Sequence, residues 1–172
     1  MRISIVGLPA SGKSTLARAI SEKLSIPHIH LDRFWFEAGG NQMKDGAPIE
    51  ERDRVRTFVR QKTATAIAAD SWVSDGLYTR SVQPEIAKRA DVIIFLDIPL
   101  WRRLFNHAQR IFNPSERHPE LNIRHEIAFF LEIIRRQFRT KPKLMLFINE
   151  HKDKVIVLKS SADIRCYLNN LE

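Results

Sequence analysis

Gly7, Gly12, Lys13 and Ser14 stand in the spacing Gly-x-x-x-x-Gly-Lys-Ser within GLPASGKST, residues 7–15. This is a complete P-loop pattern, and each position has a physical reason. Gly7 and Gly12 permit backbone conformations that most residues avoid. The N–H groups of the loop can then surround a β-phosphate. Lys13 sets a cation at the β- and γ-phosphates, and the Ser14 hydroxyl can ligate Mg²⁺. A helix that starts at the loop points the positive end of its dipole at the same anion.

Two carboxylates stand where they could serve that anion. Asp32, in HLDRFWF, can accept a proton from a substrate hydroxyl or hold Mg²⁺ through water. The plainer reading is an aspartate capping a loop. Asp75, in WVSDGLYTR, closes an apolar run next to Gly76 and is a Walker-B-type candidate for the magnesium water shell beside Ser14. Arg80, just beyond, could bind an acceptor phosphate as a fork, although Asp-Gly is also a common turn. Trp35 and Phe36 follow Asp32 and either line an acceptor pocket or pack the neighbouring helix. Arg103 and Arg110 are seven residues apart in RRLFNHAQR and share a helix face, with Arg102 beside them and Arg117 and Arg124 further on. Phosphoryl transfer spreads negative charge over the γ-phosphoryl oxygens, so an arginine-bearing flap over 102–124 could close on it, and the alternative is a solvated basic helix. Asp97 before Ile98-Pro99 reads as a turn or helix-cap residue and stays outside the catalytic set.

The elements that must position these groups follow from periodicity. RISIV (2–6), PHIHL (27–31), WVSD (72–75), DVIIFLDI (91–98) and KVIVL (154–158) predict strands, the fourth covered on both faces because Val92 to Leu96 are all apolar. Helical spacing runs over Lys13–Leu24, Ile49–Ala69, from near Pro99 toward 112, over Ile123–Phe138, after Pro142, and from Ser161 through Leu171. Residues 38–48 are rich in glycine and polar groups and predict a mobile loop. Phe129, Phe130 and Phe138 recur at helical spacing and predict core. Cys166 predicts a buried, inert thiol. His28 and His30 alternate on a strand and do not suggest a metal site. Strands alternating with helices predict an α/β fold with a mostly parallel sheet whose first strand is central, and ligands bind at the carboxyl ends of such strands.

The chain has 172 residues, which suits a single domain, and 44% apolar with 28% charged residues suits a globular one. One cysteine excludes an internal disulfide framework and a cysteine zinc site. No apolar run is long enough to span a membrane, and the first apolar stretch is broken by Gly7, Pro9 and Gly12 rather than reading as a signal peptide, so a cytoplasmic location is expected. A net charge of +8 suits a polyanionic small molecule or a nucleic-acid surface. No zinc-finger spacing, RNP-type aromatic motif or separate basic tail favours nucleic acid.

Taken together, GLPASGKST, HLDRFWF, SDGLY, FLDIP before an arginine-rich helix, and KVIVLKSSADI resemble the adenylate-kinase-like P-loop kinases, and most closely the DNA topology modulation (FlaR-related) proteins. The resemblance runs along the whole chain. It implies a three-layer α/β/α P-loop fold with a five-stranded parallel sheet in the order 2-3-1-4-5. It implies an ATP site formed by Gly7, Pro9, Ala10, Ser11, Gly12, Lys13, Ser14 and Thr15, an arginine lid near 102–124, and an adenine placed beside Lys159 to Ala162; a mobile acceptor loop is expected near 34–48. An aspartate after the second strand also resembles nucleoside, shikimate and gluconate kinases, where the acceptor is a hydroxyl, and this proposes Asp32 as the base. Two departures stand out. Thr79 occupies the place where adenylate kinases have arginine after their Asp-Gly, with Arg80 one further on, and the AMP-binding helix pattern is not recognisable over 38–60.

The expectation is therefore a Mg²⁺- and ATP-dependent phosphotransferase. Lys13 holds the donor, Ser14 and Asp75 the metal, Asp32, Trp35 and Arg80 the acceptor, and Arg103 and Arg110 close over the transferring group. Its rival is a nucleotide-dependent switch or DNA-associated ATPase with no small acceptor.

Overall fold

The computed structural model describes residues 1–40, 43, 47–76, 82–112 and 123–171. Five strands form one parallel sheet: β1 (Arg2–Gly7), β2 (His28–His30), β3 (Trp72–Asp75), β4 (Val92–Leu96) and β5 (Val155–Leu158), in the order β2-β3-β1-β4-β5. The first strand is central, as its run of β-branched residues requires of a strand buried on both faces. The period of two along the strands divides the core. Ile93 and Phe95 of β4 face one side of the sheet, and Ile94 and Leu96 face the other.

Helices cover both sides, giving a three-layer α/β/α architecture. On one side α1 (Lys13–Leu24) buries Leu16, Ala17 and Ile20, beside α8 (Ser161–Asn169). On the other, α3 (Ile49–Ala66) buries Val55 and Val59, and α7 (Lys141–Glu150) buries Leu144, Phe147 and Ile148. The short α2 (Leu31–Glu37), α5 (Leu100–Phe112) and α6 (Ile123–Arg139) lie toward the strand ends where ligands are expected. A further short helix, α4 (Gln83–Arg89), has no counterpart in the sequence expectation. Its seven residues give too few turns for a periodic signal, yet Val82, Ile86 and Ala87 are fully buried and the Gln83 amide donates to Ser4 Oγ at 3.2 Å.

Several expectations need correction. Leu31 opens α2 rather than ending β2, so Asp32 sits in the first turn of a helix. Residues 34–37, assigned to the acceptor loop, are helical, and the adjoining loop lies partly outside the described residues. Phe129, Phe130 and Phe138 are not core: they are 40%, 37% and 72% exposed. Helical spacing reports an amphipathic helix but not what covers it. Among the described side chains of α6 only Ile133 is buried, while Phe129 and Phe130 lean on the His107 ring. Cys166 is exposed, because α8 turns Ile164, Tyr167 and Leu168 inward and Cys166 outward. Among the described residues no helix is long and apolar enough to cross a membrane.

Candidate active site

The loop between β1 and α1 is clamped from behind. Three successive carbonyls each accept from a side chain: Leu8 from Lys13 Nζ at 3.0 Å, Pro9 from Arg103 Nη1 at 3.4 Å, and Ala10 from Asn106 Nδ2 at 3.0 Å. Ala10 is held at φ 60, a left-handed conformation that costs a side-chain-bearing residue on the order of 1 kcal/mol or more. The grip of α5 on the neighbouring carbonyls helps to hold it there. Gly12 caps α1 at φ 90, where glycine carries no such penalty, and no side chain caps the helix. The first-turn N–H groups of α1 have no intrahelical acceptor and are presented to whatever anion enters. Ser11 Oγ is buried in the loop without a hydrogen-bond partner among the described residues.

Beside the loop, the Ser14 hydroxyl meets Asp75 Oδ2 in a short hydrogen bond. Strand register makes this meeting: Asp75 pairs with Ile5 on one side and His30 on the other, which brings the end of β3 level with the loop. Asp75 is 1% exposed and contacts His28 Nε2 at 2.9 Å and His30 Nδ1 at 3.8 Å. Burial pushes its carboxyl up, but the hydrogen bonds from His28 and Ser14 and the two histidine rings outweigh that and hold it below the ordinary carboxylate range. The histidine contacts were not foreseen. Their signal was in the sequence, since His28 and His30 lie on the same face of a strand that ends beside Asp75. A hard cation takes oxygen donors, and the paired Ser14 hydroxyl and Asp75 carboxylate fit Mg²⁺ that keeps several waters. Among the described residues no cluster of three or more His, Cys, Asp or Glu side chains forms a separate metal cage.

The loop is the wall between two cavities, both of which Ala10 and Gly12 line. The first, of about 1180 Å³, runs from the loop between Trp101, Phe105 and Ile164 to Lys159–Ser161. Its far end is fixed by a capping box: Asp163 accepts from the N–H groups of Lys159 and Ser160 at 2.8 and 3.0 Å, and its own N–H donates to Ser160 Oγ at 3.1 Å. The second, of about 1810 Å³, holds Lys13, Ser14, Asp32, Trp35 and Phe36. Trp35 both lines this cleft and packs on the core, its ring so close to Gly40 that a Cβ there would stand 2.2 Å from it.

Of the residues singled out from the sequence, the structure gathers Lys13, Ser14, Asp32, Asp75 and Trp35 around the loop. Arg80 and Arg117 lie outside the described residues, as do the side chains of Arg110 and Arg124. Arg103 is placed differently from its expected role over the γ-phosphoryl group. It is fully buried, donating to the carbonyls of Ile98 at 3.2 Å and Pro9 and to Gln137 Oε1 of α6. Burial lowers its pKa, partly offset by Asp97. A guanidinium that spends its donors on carbonyls behind the loop braces the loop. Asp97, set aside from the catalytic group, pairs with Lys141 at 2.8 Å. The cleft also contains cations that sequence reasoning did not single out: Arg56, Arg60, Lys88, Arg135, Arg136, Arg139 and Lys143. Their available signal was spacing by four, as in Arg56 and Arg60, or Arg135, Arg139 and Lys143.

A parallel sheet in this order with a phosphate loop after its first strand defines a P-loop nucleotide-binding fold. The chain belongs to the AAA domain family, whose model matches residues 3–103. Curated relatives include shikimate kinase of Symbiobacterium thermophilum, 30% identical over 56% of this chain and 58% of its own, and adenylate kinase of Corynebacterium glutamicum, 30% identical over 54% and 53%. A tRNA uridine(34) hydroxylase of Salmonella choleraesuis is 27% identical over 92% of this chain and 44% of its own. The chain thus spans about half the length of the curated relatives it matches. Solved structures with the same fold include shikimate kinase from Bacteroides thetaiotaomicron (TM-score 0.57, 19% identity, 98% of this chain and 94% of that one) and deoxyadenosine kinase from M. mycoides (TM-score 0.60, 17% identity, 98% and 97%).

Proposed function

We propose that this chain is an ATP-dependent phosphotransferase that moves the γ-phosphoryl group of Mg-ATP to a small acceptor, working as a single domain. The observation that carries the reading is the pair of cavities that share Ala10 and Gly12 of the P-loop as their common wall. Hydrolysis alone needs only the donor cavity. Transfer needs a second one that opens on Lys13 and contains a carboxylate, and the cleft with Asp32 has both.

In this reading the uncapped first turn of α1 and Lys13 bind the phosphates of the donor. The base of ATP lies against Trp101, Phe105 and the Lys159–Ser161 turn. Ser14 and Asp75 hold Mg²⁺, which when bound neutralises phosphate charge. Asp75 suits this because its hydrogen bonds keep it ionised. Asp32 takes the proton of the acceptor hydroxyl, or orients it, as the group attacks. Trp35 and Phe36 shape the acceptor's side of the cleft, and Arg80 and Arg110 are candidates to bind acceptor phosphate and to close over the transferring charge. The names of the kinase relatives support this class, and the resemblance to adenylate-kinase-like topology modulation proteins points the same way. A cytoplasmic setting suits an ATP-consuming enzyme.

The test is acceptor-dependent ADP formation across a panel of nucleotides, nucleosides, sugar alcohols and sugar phosphates. Release that requires one of these compounds, and is lost in Lys13→Ala, supports transfer. Release stimulated only by DNA, with every small molecule inert, rejects it in favour of a nucleic-acid-linked ATPase.

A further inference from the structure

We propose that the acceptor is itself a phosphate ester, held by the cations of the second cleft; this rests on the phosphotransfer reading and names its substrate class. Eight cationic side chains and four carboxylates line that cleft. Lys13 belongs to the donor, so its charge is accounted for. The remaining cations come from four other helices, and they differ in what neutralises them.

Arg56 pairs with Asp53 at 3.1 Å, and Arg60 pairs with Glu85 at 3.2 Å. Arg135 and Arg136 share a single carboxylate, Glu132, at 3.9 and 2.7 Å. Lys88, Arg139 and Lys143 have no acidic partner among the described residues and are exposed to the cleft. Arg135, Arg139 and Lys143 recur every four residues across the junction of α6 and α7, where Thr140 keeps a helical conformation. That spacing stacks them along one side of the cleft. Lys88 of α4 supplies charge from a different element.

A concave wall with surplus charge of one sign focuses its field and concentrates counter-ions. A neutral polyol gains nothing from it and would need some of these groups stripped of water. A monocarboxylate brings a single charge, which one arginine fork satisfies. A phosphate monoester brings about −1.5 to −2 charges and three acceptor oxygens, which match several cations. Lys13 and the α1 terminus serve the donor, and the binding of an ATP analogue to a variant of the remaining cations separates the acceptor's share of them from the donor's.

The experiment measures binding rather than turnover, so its failure is separate from failure of the transfer reading. With a non-hydrolysable ATP analogue bound, calorimetry compares each of four nucleosides with its 5′-monophosphate, and ribose and glucose with ribose 5-phosphate and glucose 6-phosphate. At least one phosphorylated compound is expected to bind about 100-fold tighter than its parent, and the two arms tell nucleotide from sugar phosphate. Lys88→Gln with Lys143→Gln, both at exposed positions, is expected to weaken that compound by roughly tenfold or more while the ATP analogue binds as before. Parents binding as tightly as their phosphates, no selective binding by any pair, or an unchanged preference in the double variant overturns the proposal. So does binding of a single-stranded oligonucleotide when every small phosphate ester fails.

Discussion

The two sides of the P-loop are built in opposite ways. The loop itself is made from contiguous sequence, a nine-residue motif and a helix that starts on it, with its carbonyls pinned by Lys13 from within and by Arg103 and Asn106 from α5. The cleft that opens on Lys13 is made from pieces far apart in the chain: Asp32 and Trp35 on α2, cations on α3, α4, α6 and α7. The family match over residues 3–103 takes in the donor loop, Asp32 and Asp75 and stops before α6 and α7. The matched segment thus holds the loop together with Asp32, Trp35 and the cations of α3 and α4, while the cations of α6 and α7 lie beyond it. In the proposed reading the loop and the cleft respond differently to substitution.

The largest effect is expected at Lys13. Lys13→Ala should lower turnover on the order of 10²–10³-fold, because a charge aimed at the developing transition state is lost, and steady-state ADP release measures it. Asp32→Asn should lower kcat on the order of 10²-fold while ATP affinity stays constant; full turnover with unchanged ATP binding would remove Asp32 from the role of base. Those two variants separate donor from acceptor function. Arg103→Met sharpens the contrast differently. It leaves the Pro9 and Ile98 carbonyls and Gln137 without their donor, which should cost about 2–4 kcal/mol of stability in urea unfolding and loosen the loop. An effect on turnover with no loss of stability would restore Arg103 to the expected lid. The smallest effect is a pH dependence at the far end of the donor cavity. The Lys159 N–H, followed by the Ser160 hydroxyl, holds the Asp163 carboxyl below its ordinary value. The stability this carboxylate contributes is therefore complete above the usual value of about 4 and is lost as pH falls below it. Asp163→Asn should flatten that acid-side loss slightly, read by thermal melts between neutral and acid pH.

The phosphate loop was legible in the sequence because its signal is local. Spacing within GLPASGKST fixed Gly12, Lys13 and Ser14, and the apolar run of β4 announced a strand covered on both faces. Asp75 was legible too, since a carboxylate ending a buried strand has few places to go. What eluded sequence reasoning depended on contacts between distant elements. Arg103 looked like a surface cation because arginine is rarely buried, and only carbonyl acceptors from the loop make its burial affordable. The phenylalanines of α6 looked like core because periodicity shows a face without showing its cover. The cleft cations were invisible as a group, because Lys88 and Arg139 lie 51 residues apart in sequence and meet only around a cavity.

Transfer against hydrolysis is decided by the fate of the γ-phosphoryl group. With γ-labelled ATP, Mg²⁺ and the small-molecule panel, phosphotransfer predicts label in one organic product whose mass has grown by a phosphoryl group, and loss of that product in Asp32→Asn. Label recovered solely as inorganic phosphate, whatever acceptor is present, would contradict it.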